Sequence, residues 1–218
     1  MNFKNKATCT IGIFAREPIA GHTKTRLIPL LGAEGAAQFH RQCIAATAQT
    51  AQQAALGDVV FFVTPALKED SFFYSVALSQ GSMSYVEQTG KDLGERMHNA
   101  FEQGLKLAQR MIIIGTDCPV LSVQHLRNVD AWLQKNEGAC FIPAEDGGYV
   151  LVGLSAPHAA LFYGIDWGTA QVMAQTRAAA KIVGINLHEM PPLWDIDTPS
   201  DYKRLAEDAL ISGVFKAS

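Results

Sequence analysis

Short apolar runs alternate along this chain with longer stretches in which apolar residues recur every three or four positions. The runs Cys9–Phe14, Val59–Thr64, Met111–Ile114, Ala139–Ile142 and Tyr149–Leu154 read as strands, with Ser84–Glu87 a short one and Ile182–Glu189 extended. The periodic stretches read as helices. These are an Ala/Gln-rich one over Ala33–Ala55 closed by Gly57-Asp58, one over Leu67–Leu78, and one over Leu93–Gln109. In the last, Leu93, Met97, Ala100, Phe101, Leu105 and Ala108 fall on one stripe. Further helices are expected from an N-cap at Ser122 to Lys135, over Thr169–Ala180, and over Ser200–Ala209 after Pro199. Strands alternating with helices predict an α/β fold: one domain over residues 1–218, a mostly parallel central sheet and helices on both faces. The segment Ala139–Leu154 reads instead as a hairpin, a departure from a purely parallel pattern.

Composition narrows the class. A chain of 218 residues buries about 70% of its unfolded surface and needs no disulfide or structural metal to fold. The net charge of -3 argues against nucleic acid as a partner, which usually needs a basic face. Cys9, Cys43, Cys118 and Cys140 show no CxxC pairing and read as reduced, mostly buried thiols, which points to the cytoplasm. Zinc is not expected, because no Cys/His cluster has ligand spacing. The apolar run after Met1–Lys6 ends at Arg16-Glu17-Pro18, too soon for a signal peptide, and no stretch is long enough to span a membrane.

Several strands run directly into acidic or basic motifs. Cys9–Phe14 leads into a loop carrying Arg16, Gly21, His22, Lys24 and Arg26. In it Gly21 permits close backbone approach, and the cations can neutralise phosphate oxygens. The spacing is neither a Walker A loop nor GxGxxG, and a plain solvated basic loop is the alternative. Met111–Ile114 leads into Gly115-Thr116-Asp117-Cys118-Pro119, where Asp117 can face a hard cation or simply form an Asx turn. Cys140–Pro143 leads into Glu145-Asp146-Gly147-Gly148-Tyr149, a hairpin signal that also suits a loop pressed on a ligand. Asp195-Ile196-Asp197 puts two carboxylates on one side if extended, although Asp197 or Thr198 could cap the last helix. The helix after Thr89-Gly90-Lys91-Asp92 offers an N-terminus and Arg96 to an anion. Trp167 is either an acceptor-pocket wall or packing. Of the histidines only His22 lies in a candidate site; His40, His98, His125, His158 and His188 read as surface or satisfied core residues. Acids gathered at strand ends repel one another unless a cation sits between them, which outlines a metal-dependent, nucleotide-using transferase.

Taken together, Lys24-Thr25-Arg26-Leu27, Asp92-Leu93-Gly94-Glu95-Arg96-Met97, Gly115-Thr116-Asp117-Cys118-Pro119, Glu145-Asp146-Gly147-Gly148-Tyr149, Trp167-Gly168-Thr169 and Asp195-Ile196-Asp197-Thr198-Pro199 carry a resemblance. The chain resembles a bacterial family of the GT-A (nucleotide-diphospho-sugar transferase) superfamily often labelled as arsenosugar-biosynthesis glycosyltransferases. It is similar also to molybdopterin-cofactor and phospholactate nucleotidyltransferases. Arg16 and Ala20 depart from the family pattern, where Lys and Pro are expected.

The resemblance implies the GT-A fold and a Mg²⁺- or Mn²⁺-dependent transferase. Its donor would be a nucleotide sugar or, alternatively, a nucleoside triphosphate; its acceptor is an unspecified small molecule. A non-catalytic nucleotide-binding protein is the remaining alternative. Arg16, Gly21, Lys24, Arg26 and Arg96 would hold the nucleotide phosphates. Asp117, Asp195 and Asp197 would take the metal, Asp117 and Asp146 would serve catalysis, and Gly147, Gly148, Tyr149 and Trp167 would line the acceptor pocket.

Overall fold

A computed structural model describes residues 7–65, 71–73 and 83–207. Among them, seven strands form one sheet: β1 (Ala7–Arg16), β2 (Gly57–Thr64), β3 (Ser84–Glu87), β4 (Ala108–Ile114), β5 (Ala139–Pro143), β6 (Tyr149–Leu154) and β7 (Leu187–Glu189). Their spatial order is β3-β2-β1-β4-β6-β5-β7. All pairings are parallel except those of β6, which runs against both β4 and β5. The expected hairpin is therefore β5–β6, and its second strand is slotted between β4 and β5. Consequently every strand but β6 ends at one edge of the sheet, and β6 begins there.

Among the described residues the main helices are α1 (Ile28–Ala54), α2 (Leu93–Leu107), α3 (Val123–Lys135), α4 (Val172–Val183) and α5 (Pro199–Glu207). The period-two pattern of the strands sorts them onto two faces. Ile11, Ile13, Ile112 and Ile114 point with Ile44 and Ala48 of α1 and Leu126 and Val129 of α3 into one core. Met111 and Ile113 point with Met97 and Phe101 of α2 and Met173 of α4 into the other. A third cluster seats α5 and the strand-like segment before it: Trp194, Ile196 and Leu205 pack on Leu27, Phe39 and Cys43. All four cysteines are free and buried, as their spacing implied.

Boundaries shift for local reasons. The first helix begins before Ala33, with a break at Gly32 (φ 71°, ψ 170°). Residue Ala108 already pairs with Ala7, so α2 stops at Leu107 rather than at Gln109. The β-branched Ile182 and Val183 were expected to be extended, but α4 runs through them to a cap at Gly184. Thr169 belongs to a turn, its hydroxyl donating to the Asp166 carbonyl at 2.8 Å, and α4 starts only at Val172. The Ser122 cap is as expected, its hydroxyl accepting from His125 N at 3.4 Å. The helix expected over Leu67–Leu78 lies outside the described residues except at 71–73, and the end of the Ser200–Ala209 helix lies outside them too. Among the described residues no helix is long and apolar enough to cross a membrane.

Candidate active site

The edge where the strands end carries a cleft with two adjoining lobes. A basic lobe of about 480 Å³ is lined by Arg16, His22, Lys24, Arg26, His40, Thr64, Gln88, Arg96 and Asp117. An aromatic lobe of about 340 Å³ is lined by Met97, Asp146, Gly148, Tyr149, Trp167 and Val172. Phe14, Arg26, Leu93, Gly115 and Asp197 line both, so the lobes form one continuous groove. Ligands of open α/β sheets bind outside the carboxyl ends of the strands, which is where this groove lies. A roomier cavity of about 980 Å³ lies elsewhere, among the ends of α3, β6 and α4, and contains none of the expected site residues.

Three segments distant in sequence are tied together under the basic lobe. Lys24 adopts a left-handed conformation (φ 47°, ψ 43°), uncommon for a residue with a Cβ, and such outliers cluster at functional positions. Its ammonium reaches Asp117 Oδ1 at 2.9 Å and donates to the Ile196 carbonyl. Ile196 N in turn donates to the Asp117 carbonyl at 2.8 Å. Burial pulls the Lys24 pKa down, but the Asp117 charge beside it reverses this, and the net shift is upward. For Asp117, burial acts upward, while Lys24 and then His40 pull the carboxyl below its usual range. Both groups are therefore charged near neutral pH. The Asp117 side chain is half exposed, and its Oδ2 has no hydrogen-bond partner among the described residues.

The other acids are arranged around this pair. Asp197 is ion-paired with Arg26, while Thr198 caps α5 through its hydroxyl, which accepts from Asp201 N at 3.4 Å. Of the two candidates for that cap, Asp197 and Thr198, the hydroxyl is the one on the Asp201 amide. Asp195 has its pKa raised to about 6, by burial first and then by the charges of Asp146 and Asp117. Among the described residues no three His, Cys, Asp or Glu side chains converge as a metal cage. Mg²⁺ commonly uses only one or two carboxylates together with substrate phosphates, so a cage of three is not required.

The aromatic lobe is built on the β5–β6 turn. Asp146 Oδ1 accepts from Gly148 N at 2.9 Å, an Asx turn, and its carboxylate faces the lobe. Gly147 (φ 95°) does not line the lobe but lies behind it: a Cβ there would come within 2.3 Å of the Ala170 carbonyl oxygen. Its carbonyl also accepts from Met173 N at 2.9 Å, which pins the turn to the start of α4. Tyr149 stacks edge-on against Phe141 and Trp167, with centroids 4.9 and 6.2 Å apart, and its hydroxyl contacts Met97 Sδ at 3.7 Å. Burial raises the tyrosine pKa, so the ring is a neutral wall. Trp167 presses on the first turn of α2, where a Cβ at Gly94 would meet its Nε1 at 2.6 Å. It is thus both packing and pocket wall.

The remaining expected residues fall as follows. Arg16 closes β1 and lines the basic lobe, and Arg96 lines it while its Nε donates to the Gly90 carbonyl at 3.1 Å. Gly21 (φ 82°) turns the loop but has open space on its Cβ side and does not line the groove, so it serves the turn rather than close approach. Glu145 turns toward α5, its carboxylate gripping Arg204 at 2.8 and 3.3 Å.

Two histidines correct the expectation of satisfied core or surface residues. His40 is buried, its Nε2 lies 3.1 Å from the Arg16 carbonyl, and its Nδ1 has no hydrogen-bond partner among the described residues and sits 4.0 Å from Asp117 Oδ1. His98 Nδ1 is likewise buried without a partner among them. Gln88 was not singled out at all. Neither His40 nor Gln88 stands in a recognisable motif; each is brought to the lobe by packing between distant segments.

Residues 47–169 match the family described as "Uncharacterized protein conserved in bacteria (DUF2064)". No curated protein matches the sequence. A protein from Desulfovibrio desulfuricans G20, provisionally described as a nucleotide-diphospho-sugar transferase, superposes with a TM-score of 0.83 at 26% identity over 94% of this chain and 90% of that one. CMP:2-keto-3-deoxy-manno-octonic acid synthetase complexed with CTP superposes with a TM-score of 0.57 at 11% identity, over 94% and 99%. The 4-diphosphocytidyl-2C-methyl-D-erythritol synthase of Anaerococcus prevotii DSM 20548 gives 0.59 at 11%, over 90% and 95%. The last two show a shared fold. With the first, they identify the architecture as that of the nucleotide-diphospho-sugar transferases.

Proposed function

Because this chain belongs to the DUF2064 family and carries a cation-lined groove at its strand ends, we propose that it is a transferase using a nucleotide-activated donor, with glycosyl transfer from a nucleoside-diphosphate sugar as its reaction. The observation that carries the reading is the join between the two lobes. The basic lobe suits the phosphates, through Arg16, Lys24, Arg26 and Arg96. The aromatic lobe suits a sugar and its acceptor, because Tyr149 and Trp167 present apolar ring surface beside the Asp146 carboxylate. The transferring carbon would then lie near the junction at Arg26, Gly115 and Asp197.

In this reaction the acceptor hydroxyl oxygen bonds to the anomeric carbon, and the bond from that carbon to the β-phosphate oxygen breaks. The nucleoside diphosphate leaves with the electron pair. Asp146 receives the hydroxyl proton on the oxygen that Gly148 N does not hold. Arg26, which is exposed, would meet the leaving phosphate and stabilise its growing charge, with the buried Lys24 ammonium adding positive potential from beneath.

Mg²⁺ or Mn²⁺ fits the residues present. Asp117 keeps Oδ2 free while Lys24 fixes Oδ1, and Asp195 sits among like charges that a cation would relieve. Asp117 and Asp195 would hold the ion, with Asp197 joining if Arg26 moves to phosphate. Such an ion supplies Lewis-acid stabilisation of phosphate charge.

Nucleotidyl transfer is the second reading, favoured by the number of cations around the basic lobe, which suits a triphosphate. The test is thermal stabilisation with Mn²⁺ across nucleoside triphosphates and nucleotide sugars, followed by product analysis. The acceptor panel includes the class that the arsenosugar-linked resemblance implies. Free nucleoside diphosphate released from one nucleotide sugar is the expected result. Pyrophosphate released from a triphosphate would replace it with the second reading, and no metal-dependent stabilisation by either class would sink both.

A further inference from the structure

Gln88 follows β3 directly, and its backbone N–H continues the sheet ladder by donating to the Val63 carbonyl at 2.9 Å. Its side chain bridges two neighbouring strands. Nε2 donates to the Ala15 carbonyl of β1 at 3.3 Å and to the Phe62 carbonyl of β2 at 2.8 Å. Carbonyl oxygens can only accept, so the atom facing them is the NH₂, and both of its hydrogens are engaged. The amide is thereby fixed in orientation. Its Oε1 has no partner among the described residues and is not sealed in the core, and Gln88 lines the basic lobe. An acceptor held rigidly, with its own donor spent, can answer only a ligand that donates.

The surroundings restrict the shape of that ligand. Beside Gln88 in the same lobe lie Ala15, Phe14 (stacked on Phe62 at 5.4 Å) and Leu93, 43% exposed at the lip of the groove. These apolar surfaces adjoin the amide, and cations are close at hand: Arg16 follows Ala15, and Arg96 holds the carbonyl of Gly90, two residues beyond Gln88. A flat heterocycle linked to phosphates suits that combination.

We propose, resting on the nucleotide-donor reading above, that Gln88 determines base specificity: its Oε1 accepts from an exocyclic amino group, so the site selects cytosine, guanine or adenine over uracil. Uracil has no exocyclic donor: its N3–H lies between two carbonyls, so an N–H···Oε1 contact brings acceptor oxygens against a glutamine with no donor left to answer them. That acceptor-to-acceptor mismatch is the source of the selectivity.

The probes are nucleoside diphosphates with Mn²⁺, the portion common to nucleotide sugars and triphosphates, measured by calorimetry. CDP, GDP or ADP should bind about tenfold more tightly than UDP, the effect of one well-placed hydrogen bond. The tightest of them is then compared with its amino-free counterpart: the pyrimidin-2-one, inosine or purine riboside diphosphate. Removing the amino group should cost the wild type about tenfold and Gln88→Ala less than about twofold. If Gln88→Ala does not fold, the wild-type comparison of amino and amino-free ligands decides alone. UDP binding as tightly as the others, or an amino-group penalty unchanged in Gln88→Ala, overturns the assignment while leaving the nucleotide reading intact. Binding of none of the diphosphates overturns the nucleotide reading, and the assignment with it.

Discussion

Among the described residues, two ion pairs involve a buried cation and an aspartate, and they differ in what the aspartate has left over. Arg110 and Asp130 join β4 to α3, with Nε 2.7 Å from Oδ1, and the other oxygen accepts from Gln134 Nε2 at 2.6 Å. Both side chains are nearly sealed, at 11% and 5% exposure. Lys24 and Asp117 join the first loop to the end of β4, but there the lysine is buried and the carboxylate is half open, with Oδ2 unpartnered among the described residues. A pair whose carboxylate oxygens are both taken internally holds elements together. A pair with an acceptor left facing a groove is arranged for something that arrives. Burial and distance alone do not distinguish the two; the unused oxygen does.

The sharpest way to break this comparison is Asp117→Asn. It keeps an oxygen for Lys24 but removes the charge, so turnover should fall roughly a thousandfold, the several kcal/mol expected of lost charge stabilisation. Melting temperature should fall as well, because the buried Lys24 ammonium loses its counter-charge. Near wild-type turnover would remove Asp117 from the site. Asp130→Asn should lower stability alone. It leaves the Arg110 guanidinium without its counter-charge inside the protein, and stability measured by urea unfolding should fall by about 3 kcal/mol while folded enzyme keeps its activity.

A paired replacement sharpens the contrast further. Arg110→Met with Asp130→Leu should recover stability to within about 1 kcal/mol of wild type, because an apolar pair can substitute for a buried ionic one. Lys24→Met with Asp117→Leu should fold yet show no turnover. If the second double variant turned over, the functional reading of the open pair would fail. The smallest effect belongs to Glu189→Ala. That residue grips Arg177 at 2.7 Å with both oxygens, but the pair is largely solvated, so chemical denaturation should register a change of about 1 kcal/mol or less.

What the sequence made legible follows from the range of the interactions involved. Strand and helix positions rest on local periodicity, and β3 and the Ser122 cap were readable to the residue. The acidic motifs were readable because they interrupt apolar runs at strand ends. The insertion of β6 between β4 and β5 was not, since period and length say nothing about which strand becomes a neighbour. Nor were the partners: Lys24 was read as a phosphate ligand, yet its closest carboxylate, Asp117, lies far along the chain and meets it only after folding. Gln88 and His40 escaped for the same reason. Their roles depend on which hydrogen-bonding atoms are already taken, and that is a property of the folded neighbourhood.

The first turn of α2 has a bearing on how this protein could be re-engineered. Leu93 fronts both lobes, Arg96 serves one and Met97 the other, and Gly94 between them lies flush against Trp167 with no room for even a methyl group. The helix is a shared beam under two rooms. Reshaping the aromatic wall at Trp167 therefore disturbs the support that positions Arg96. Libraries that vary one lobe should be screened for affinity in the other, because substrate range on the two sides is mechanically linked and will not evolve independently.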